Sequence, residues 1–226
     1  MRKKFPNSEI HFITKSEYSD IYINNNNVNK VINLEQNLKK TIKFLKSEKY
    51  DLVIDLHNNL RSNIIKYSLS VKHLTYNKQS FARWLFSNLK IKLVIKHITK
   101  SYIETLNNLD IEDDDKGLDL FLHEKDLYDI NKMPIEFRNG FYVLVLGGKY
   151  KTKRLPIEKS IELCDKINRP IVLIGGKNEY LDSLKIENFF RKEKDDDDVS
   201  DLLNKRTKIH NLCGKLSILE SAWILK

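Results

Sequence analysis

Short apolar runs alternate with amphipathic segments along the whole chain. The runs are apolar on consecutive residues, which is expected of strands covered by helices on both faces. The alternation therefore predicts βαβ units, parallel sheets and the α/β fold class. The predicted strands lie at 9–14, 51–56, 71–76, 141–146, 170–176 and 208–214. The predicted helices lie at 35–50, 59–69, 78–90, 97–109, 156–167 and 216–226.

The segment 35–50 has the clearest helical period. Leu38, Ile42 and Leu45 fall on one face at i, i+4 and i+7, with lysines on the other face. We expect this apolar face to cover a sheet.

Two acidic stretches interrupt the pattern. The first, 110-DIEDDDKG-117, is followed by the irregular segment 129–140, which predicts a boundary near residue 135 between domains 1–135 and 136–226. The second, 193-EKDDDD-198, lacks the spaced ligands and the glycine turn of a calcium loop. It predicts a solvated loop.

Composition narrows the class of protein without naming a ligand. The chain has 226 residues, 41% of them hydrophobic, which is enough to build a core. Its formal charge of +9 draws anions, although the lysines are scattered along the helices. The two cysteines form no CxxC motif and are expected to be buried, inert thiols. No apolar run has the length of about 20 residues that a membrane span needs, and no secretory signal is visible, so a cytoplasmic protein is expected.

Polar residues directly follow the strand 51–56. In open parallel sheets, ligands bind beyond the carboxyl ends of the strands. His57 and Arg61 would offer cationic groups there to a phosphate or a sugar hydroxyl. The alternative is a polar loop in which His57 caps the next helix.

The strand 141–146 leads into the basic, glycine-containing segment 147-GGKYKTKR-154. Glycines let backbone N–H groups approach a phosphate, and a following helix N-terminus adds a positive end. Thr152 and Lys153 would suit a diphosphate. The segment is neither a Walker loop nor GxGxxG, and a basic strand–helix turn is the alternative.

Two further strands end in glycines. Glu179 follows Gly175-Gly176, where a carboxylate can accept hydrogen bonds from ribose hydroxyls or can simply stabilise a helix N-terminus. Gly214 and Lys215 follow the last strand. The six histidines form neither HxxxH nor HExxH, so no metal site is expected.

Taken in order, these segments resemble glycosyltransferase family 9, the heptosyltransferase family. The pieces are KKFPNSEIHFIT, YDLVIDLHNNLRS, LGGKYKTKRLP, IVLIGGKNE and NLCGKLSILESA. The resemblance implies two Rossmann-like lobes of the GT-B type. It places Thr152 and Lys153 at the donor diphosphate, Glu179 near the donor ribose, and Gly214, Lys215 and Leu216 near the base. His57 and Arg61 would border the cleft on the acceptor side.

The resemblance also implies the substrates. A nucleotide-sugar donor, ADP-heptose, would transfer its sugar to a lipopolysaccharide core or lipid A-linked acceptor, without a metal or another cofactor. The enzyme would be cytoplasmic, with a peripheral contact at the inner face of the inner membrane, and nucleic acid would not be a partner.

Several departures from the family pattern concern the active site. The family's Gly-Asp loop, whose Asp is the general base, and its DTG-x-x-H loop are both absent from this sequence. Both lobes are therefore expected to be incomplete, and the chain to be a truncated or inactive form. The alternative function is a non-catalytic basic protein that binds anions or nucleic acid. Against it, no RRM, KH or helix-turn-helix signature is visible, and the basic residues are spread rather than striped with aromatics.

Overall fold

The computed structural model describes residues 1–79, 84, 86, 88–90, 96–148, 150–196 and 207–226. The chain divides into two compact units, Met1–Phe121 and Leu122–Lys226. The division falls before the predicted boundary near residue 135, because Met133 and Phe137 pack with Val172 in the core of the second unit.

The first unit is an α/β unit, and both strand pairings that the structure describes in it are parallel. β1 (His11–Thr14) pairs with β2 (Lys30–Asn33), and β3 (Leu52–Asp55) pairs with β4 (Lys72–Thr75). Within the described residues, these are two separate two-stranded sheets. The helices whose bounds are described in this unit are α1 (Asp20–Ile23), α2 (Leu38–Ser47), α3 (Leu60–Leu69) and α4 (Ile98–Glu104).

Helices α2 and α3 supply much of the first unit's core. Ile32 of β2, Leu45 of α2 and Ile65 of α3 pack together, and the half-buried Leu38 and Ile42 lie against them. The predicted apolar face of α2 therefore does cover a strand. Each of the two helices begins at an asparagine cap, Asn37 and Asn59, whose side chain accepts backbone N–H groups of the first turn.

The second unit contains one three-stranded parallel sheet. β5 (Tyr142–Val145), β6 (Pro170–Ile174) and β7 (Lys208–Asn211) lie in the order β5–β6–β7. Among the described residues of this unit, the helices are α5 (Ile157–Ile167), α6 (Tyr180–Asp196) and α7 (Ile218–Ile224).

The central strand β6 divides the core of the second unit into two layers. Its side chains alternate between the faces of the sheet, and Ile171, Val172 and Leu173 are all 0% exposed. One layer contains Met133, Phe137, Val172, Ile174 and Leu212. The other contains Cys164, Ile171, Leu173, Ile186 and Cys213.

Both cysteines are buried, as predicted. Burial raises the pKa of the Cys164 thiol to about 11 and also raises the pKa of Cys213. Both thiols therefore stay protonated near neutral pH and behave as apolar side chains.

The sequence pattern missed several elements, among them the short helix α1. Strand β2 was not predicted, because its apolar content is limited to Val31 and Ile32 between polar residues. Helix α6 was not predicted either, and it extends to Asp196, so the predicted loop at 193–198 is wrong over 193–196. Much of the predicted helix 78–90 lies outside the described residues, although Trp84, Phe86, Asn88 and Leu89 have helical backbone.

No helix in the described part of the chain is both long and apolar enough to cross a bilayer.

Candidate functional site

Asp55 shapes the loop at the carboxyl end of β3. Its Oδ1 accepts the backbone N–H groups of His57, at 2.9 Å, and Asn58, at 2.8 Å. Asn58 adopts a left-handed backbone with φ of 45°, and its side-chain amide donates to the carbonyl of Tyr76 at 2.9 Å. These bonds fix the turn that carries His57 and tie it to the chain leaving β4.

The second oxygen of Asp55 belongs to a buried ion pair. Oδ2 accepts the Ser62 hydroxyl at 2.9 Å and lies 3.4 Å from the Lys66 ammonium, which also donates to the Thr75 hydroxyl at 2.8 Å. The side chains of Lys66 and Asp55 are only 3% and 4% exposed. This network ties α3 to the ends of β3 and β4.

The network also fixes the charge of Asp55. Burial alone would raise the pKa of this carboxyl, but the bonds from Asn58, His57 and Ser62 and the Lys66 charge together hold it below its ordinary value. Asp55 is thus an anion, and both of its carboxylate oxygens already accept hydrogen bonds from the protein. It is a poor proton acceptor for chemistry at this edge.

His57 and Arg61, the predicted residues of the acceptor side, follow this turn. Both side chains are exposed. Within the described residues, neither side chain makes a hydrogen bond, so both remain available to a ligand at the carboxyl edge of β3 and β4. Their contact with an acceptor stays a prediction.

In the second unit, the segments that follow the three strands meet at one edge. The N–H of Gly214 donates to the carbonyl of Gly175 at 2.8 Å. A Cβ on Gly175 would lie 3.0 Å from the Cβ of Glu179 and 3.2 Å from the Cys213 sulfur. Only glycine allows these segments to approach so closely, and Gly214 additionally has a left-handed φ of 72°.

An ion pair between Arg154 and Glu179 links the loop after β5 to the loop after β6. An Arg154 guanidinium nitrogen lies 2.8 Å from Glu179 Oε1, and Arg154 Nε donates to the carbonyl of Gly148 at 2.6 Å. Glu179 Oε2 accepts the N–H of Gly176 at 3.0 Å. The two charged side chains thereby fix the positions of both glycine pairs.

Glu179 therefore has partners other than the predicted ribose hydroxyls. Its side chain is 9% exposed, and each carboxylate oxygen already has a donor from the protein. The sequence did not predict that Arg154 joins the two loops by pairing with Glu179. Its position directly after the Lys149–Lys153 segment was the available signal, but nothing in the sequence pairs it with Glu179.

Thr152 and Lys153 lie exposed on a short 3₁₀ turn, Lys151–Lys153, just before Arg154. The Lys153 ammonium lies 5.8 Å from the centre of the Tyr150 ring. Within the described part of the chain, the N–H groups of Gly147 and Gly148 make no hydrogen bond. The N–H groups of Gly147 and Gly148 and the Lys153 ammonium thus lie close together in sequence at the sheet edge. Such a combination of backbone donors and a cation can bind an anion.

The third predicted stretch, after β7, is partly engaged in packing. The Lys215 ammonium donates to the carbonyl of Asn211 at 2.7 Å, and Leu216 packs against the core layer of Met133 and Phe137. Gly214 lies against the backbone of Lys177. A Cβ added to Gly214 would be 3.4 Å from the Cα of Lys177. A contact of this stretch with a nucleotide base stays a prediction.

No group of three or more His, Cys, Asp and Glu side chains that could hold a metal ion occurs among the residues described.

Solved structures define the class of fold. The glycosyltransferase family 9 protein of Veillonella parvula is similar with a TM-score of 0.67 and 18% identity, over 98% of this chain and 65% of that one. E. coli ADP-heptose lps heptosyltransferase II is similar with a TM-score of 0.71 and 14% identity, over 99% of this chain and 69% of that one. The fold is therefore the α/β fold of GT-B glycosyltransferases, and the chain spans about two thirds of the length of these proteins.

The sequence assigns the family. The model of glycosyltransferase family 9 (heptosyltransferase) matches residues 38–226, and the chain belongs to that family. A comparison with curated protein sequences finds no match.

Replacing Lys66 by methionine should destabilise the first unit by about 3 kcal/mol or more, because the buried Asp55 carboxylate loses its cation. Urea denaturation can be followed by Trp84 fluorescence in a Trp223→Phe background. The exposed Lys46→Met, on α2, is the matched control and should change stability by less than about 0.5 kcal/mol. Equal stabilities of the two variants would mean that the Lys66 charge does not stabilise the buried Asp55 carboxylate.

Replacing Arg154 by glutamine should destabilise the second unit by about 2 kcal/mol, because the poorly solvated Glu179 carboxylate loses a charged donor. Trp223 fluorescence in a Trp84→Phe background reports on this unit. Arg169→Gln, at an exposed position in the same unit, is the control. A double-mutant cycle of Arg154→Gln with Glu179→Gln should give a coupling energy different from zero. Additive effects of the two substitutions would exclude the ion pair in solution.

Proposed function

We propose that the second unit binds the diphosphate of a nucleotide-sugar donor at the carboxyl edge of β5, β6 and β7. ADP-heptose is the expected donor, because the chain belongs to the heptosyltransferase family. The diphosphate accepts hydrogen bonds from the Gly147 and Gly148 N–H groups and the Thr152 hydroxyl. The Lys153 ammonium neutralises its charge.

The observation that carries this proposal is the pairing of Arg154 with Glu179. Because Arg154 binds both Glu179 and the Gly148 carbonyl, it is committed to the protein, while the adjacent Lys153 is exposed. The ion pair fixes the ends of the basic loop and leaves the exposed Lys153 available as a cation for a ligand. Such pre-positioned charge stabilises a diphosphate leaving group without reorganisation during the reaction.

The acceptor belongs to the first unit in this proposal. A lipopolysaccharide core or lipid A-linked sugar lies against His57 and Arg61, with the protein in peripheral contact with the inner face of the inner membrane. The acceptor hydroxyl loses its proton to a base as its oxygen bonds to the anomeric carbon of the donor sugar. The bond from that carbon to the diphosphate breaks at the same time, and Lys153 holds the departing anion.

The chain by itself should be a weak catalyst, because its best-placed carboxylates are occupied. Asp55 is held as an anion by four donors, and Glu179 is bound by Arg154 and Gly176. The sequence contains no Asp or Glu between Asp55 and Glu104, so the loop and helix that follow β3 supply no carboxylate base.

Removing the Lys153 ammonium should weaken binding of ADP about 10- to 100-fold, because a hydrogen bond to a charged group contributes about 1.5–3 kcal/mol. Isothermal calorimetry on the wild type, Lys153→Ala and the exposed control Lys185→Ala measures this effect. Equal affinity of Lys153→Ala and the wild type would remove Lys153 from the site. No binding of ADP to the wild type would refute the donor site as a whole.

Heptosyl transfer by the purified chain should fall about 10²- to 10⁴-fold below that of E. coli ADP-heptose lps heptosyltransferase II, since general-base catalysis contributes about this factor. The assay uses ADP-heptose and a lipid A–inner core acceptor at saturating concentrations. Turnover within about tenfold of the control enzyme would show that another group serves as the base.

A further inference from the structure

The helices of the first unit lie on opposite faces of strands β1 and β2. The rings of Phe12 and Tyr22 stack with their centres 4.0 Å apart, which places α1 on the face to which Phe12 points. Phe12 is the register partner of Val31, so the next residue, Ile32, points to the other face. There Ile32 packs against α2 and α3. Helix α1 therefore covers one face, and α2 and α3 cover the opposite face.

This arrangement of the helices fixes the spatial order of the strands. Crossovers between parallel strands are right-handed, so the face on which the connecting helix lies decides the direction in which the chain moves across the layer. The step from β1 to β2 therefore runs opposite to the steps from β2 to β3 and from β3 to β4. The resulting order is β2, β1, β3, β4. A hydrogen bond of 2.7 Å between the His11 ring and the Tyr50 hydroxyl holds the start of β1 beside the start of β3.

Strands β1 and β3 are neighbours in this order, but they do not pair. Within the described residues, β1 pairs only with β2, and β3 pairs only with β4. The carbonyls of Thr14 and Asp55 accept N–H groups from the chain that leaves β2 and β4, so alternate residues of each strand direct their backbone groups to the opposite edge. These residues are His11, Ile13, Leu52 and Ile54. In the described part of the chain, their N–H and C=O groups make no hydrogen bond to another segment. We call the space between these two edges the strand slot.

The packing of α2 against α3 indicates the width of the strand slot. A crossover helix lies over the midpoint of the two strands that it joins, so the separation of α2 and α3 is half the separation of β2 and β4. With β1 directly beside β3, the two helices would lie about 7 Å apart, and with one open strand position between β1 and β3 they would lie about 10 Å apart. Packed helices lie about 8–10 Å apart, and α2 and α3 do pack together. The slot is therefore one strand wide.

Apolar side chains line both faces of the strand slot. Ile13 points to the same face as its register partner Ile32, toward α2 and α3, and is 37% exposed. Leu52 and Ile54 point to the other face, because Asp55 turns its side chain to α3. An occupant of the slot is thus covered by apolar groups on both sides.

The exposure of β3 also indicates a missing neighbour. Its residues 52–54 are consecutively apolar, as expected of a strand with a neighbour on each side and helices on both faces. None of the three is buried, whereas the three apolar residues at the centre of β6, which does have two neighbours, are 0% exposed. The open side of β3 is the strand slot.

We propose that the strand slot binds an extended segment of another polypeptide as an additional parallel strand between β1 and β3. Only an extended peptide backbone offers donors and acceptors along both of its edges at strand spacing. Since β1 and β3 are each four residues long and both faces are apolar, the segment contains about four consecutive apolar residues and no proline. A parallel orientation continues the ladders of both neighbours and brings the residues after the added strand to the edge that carries His57.

A peptide copied from β6 is the probe, because β6 has the required character. Residues 170–176, extended by lysines for solubility and labelled with fluorescein, are titrated with the full chain and followed by anisotropy. We expect saturable binding. The same peptide with Val172→Pro and Leu173→Pro should bind at least about tenfold more weakly, because the prolines remove one donor from each edge. Equal binding of the two peptides, or no binding of either, would overturn the proposal. The proposal does not depend on the donor site, so this test can succeed where ADP binding fails.

Proline substitutions in the protein test which edge binds the peptide. Ile13→Pro removes an N–H group that points into the slot and keeps every donor to β2, so it should weaken peptide binding about tenfold while the circular dichroism spectrum stays unchanged. The matched control is Val145→Pro, on β5, where the Leu146 N–H donates to β6 and that of Val145 therefore points away from it. It should change binding less than about twofold. Equal effects of the two substitutions would exclude the slot as the binding site.

Cross-linking tests the orientation of the added strand. A cysteine at the exposed Leu60, beyond the carboxyl end of β3, should react through a short bismaleimide with a cysteine at the carboxyl end of the peptide. A cysteine at the exposed Asp51, before β3, should react with one at the amino end of the peptide. The native cysteines are buried and serve as an internal control. The reverse pattern would show an antiparallel strand and contradict the proposal.

A second copy of the chain is the other possible occupant of the slot. Sedimentation velocity of the wild type and of Ile13→Pro measures this directly. We expect the same oligomeric state for both. A dimer of the wild type that Ile13→Pro abolishes, without binding of the β6 peptide, would assign the slot to self-association and overturn the proposal.

Discussion

Parallel pairing is the constraint on which the rest of this structure depends. Parallel strands bring all their carboxyl ends to one edge of a sheet, so the loops after β5, β6 and β7 must meet. The buried strand β6 holds its neighbours in register on both sides. Residues that lie far apart in sequence, such as Arg154 and Glu179, come into contact at that edge for this reason.

Each unit places a carboxylate at such an edge and uses it to hold the backbone. Asp55 accepts two N–H groups of its own turn and pairs with Lys66, while Glu179 accepts the Gly176 N–H and pairs with Arg154. In both cases the cation comes from a different segment and ties that segment to the turn. The carboxylates thus position neighbouring cations and N–H groups.

The sequence predicted the fold class, the parallel strands and the family, because these depend on local apolar runs and on motifs that a single chain displays. Confirmed examples are the face of α2 formed by Leu38, Ile42 and Leu45 and the burial of both cysteines. Strand β2 was missed because four residues with two apolar side chains carry too little periodicity. The partners of Glu179 could not be predicted, since an ion pair between two loops depends on tertiary approach, which neither loop encodes alone.

The two units should differ in how often their strands open. Strand β6 has a hydrogen-bonded neighbour on each side and no exposed side chain at Ile171, Val172 or Leu173, so its amide protons exchange only when the whole second unit unfolds. In the first unit, every strand has one hydrogen-bonded neighbour within the described residues. Its amides are released by opening a single pair of strands, so the amide protons of β1 to β4 should exchange faster than those of β6.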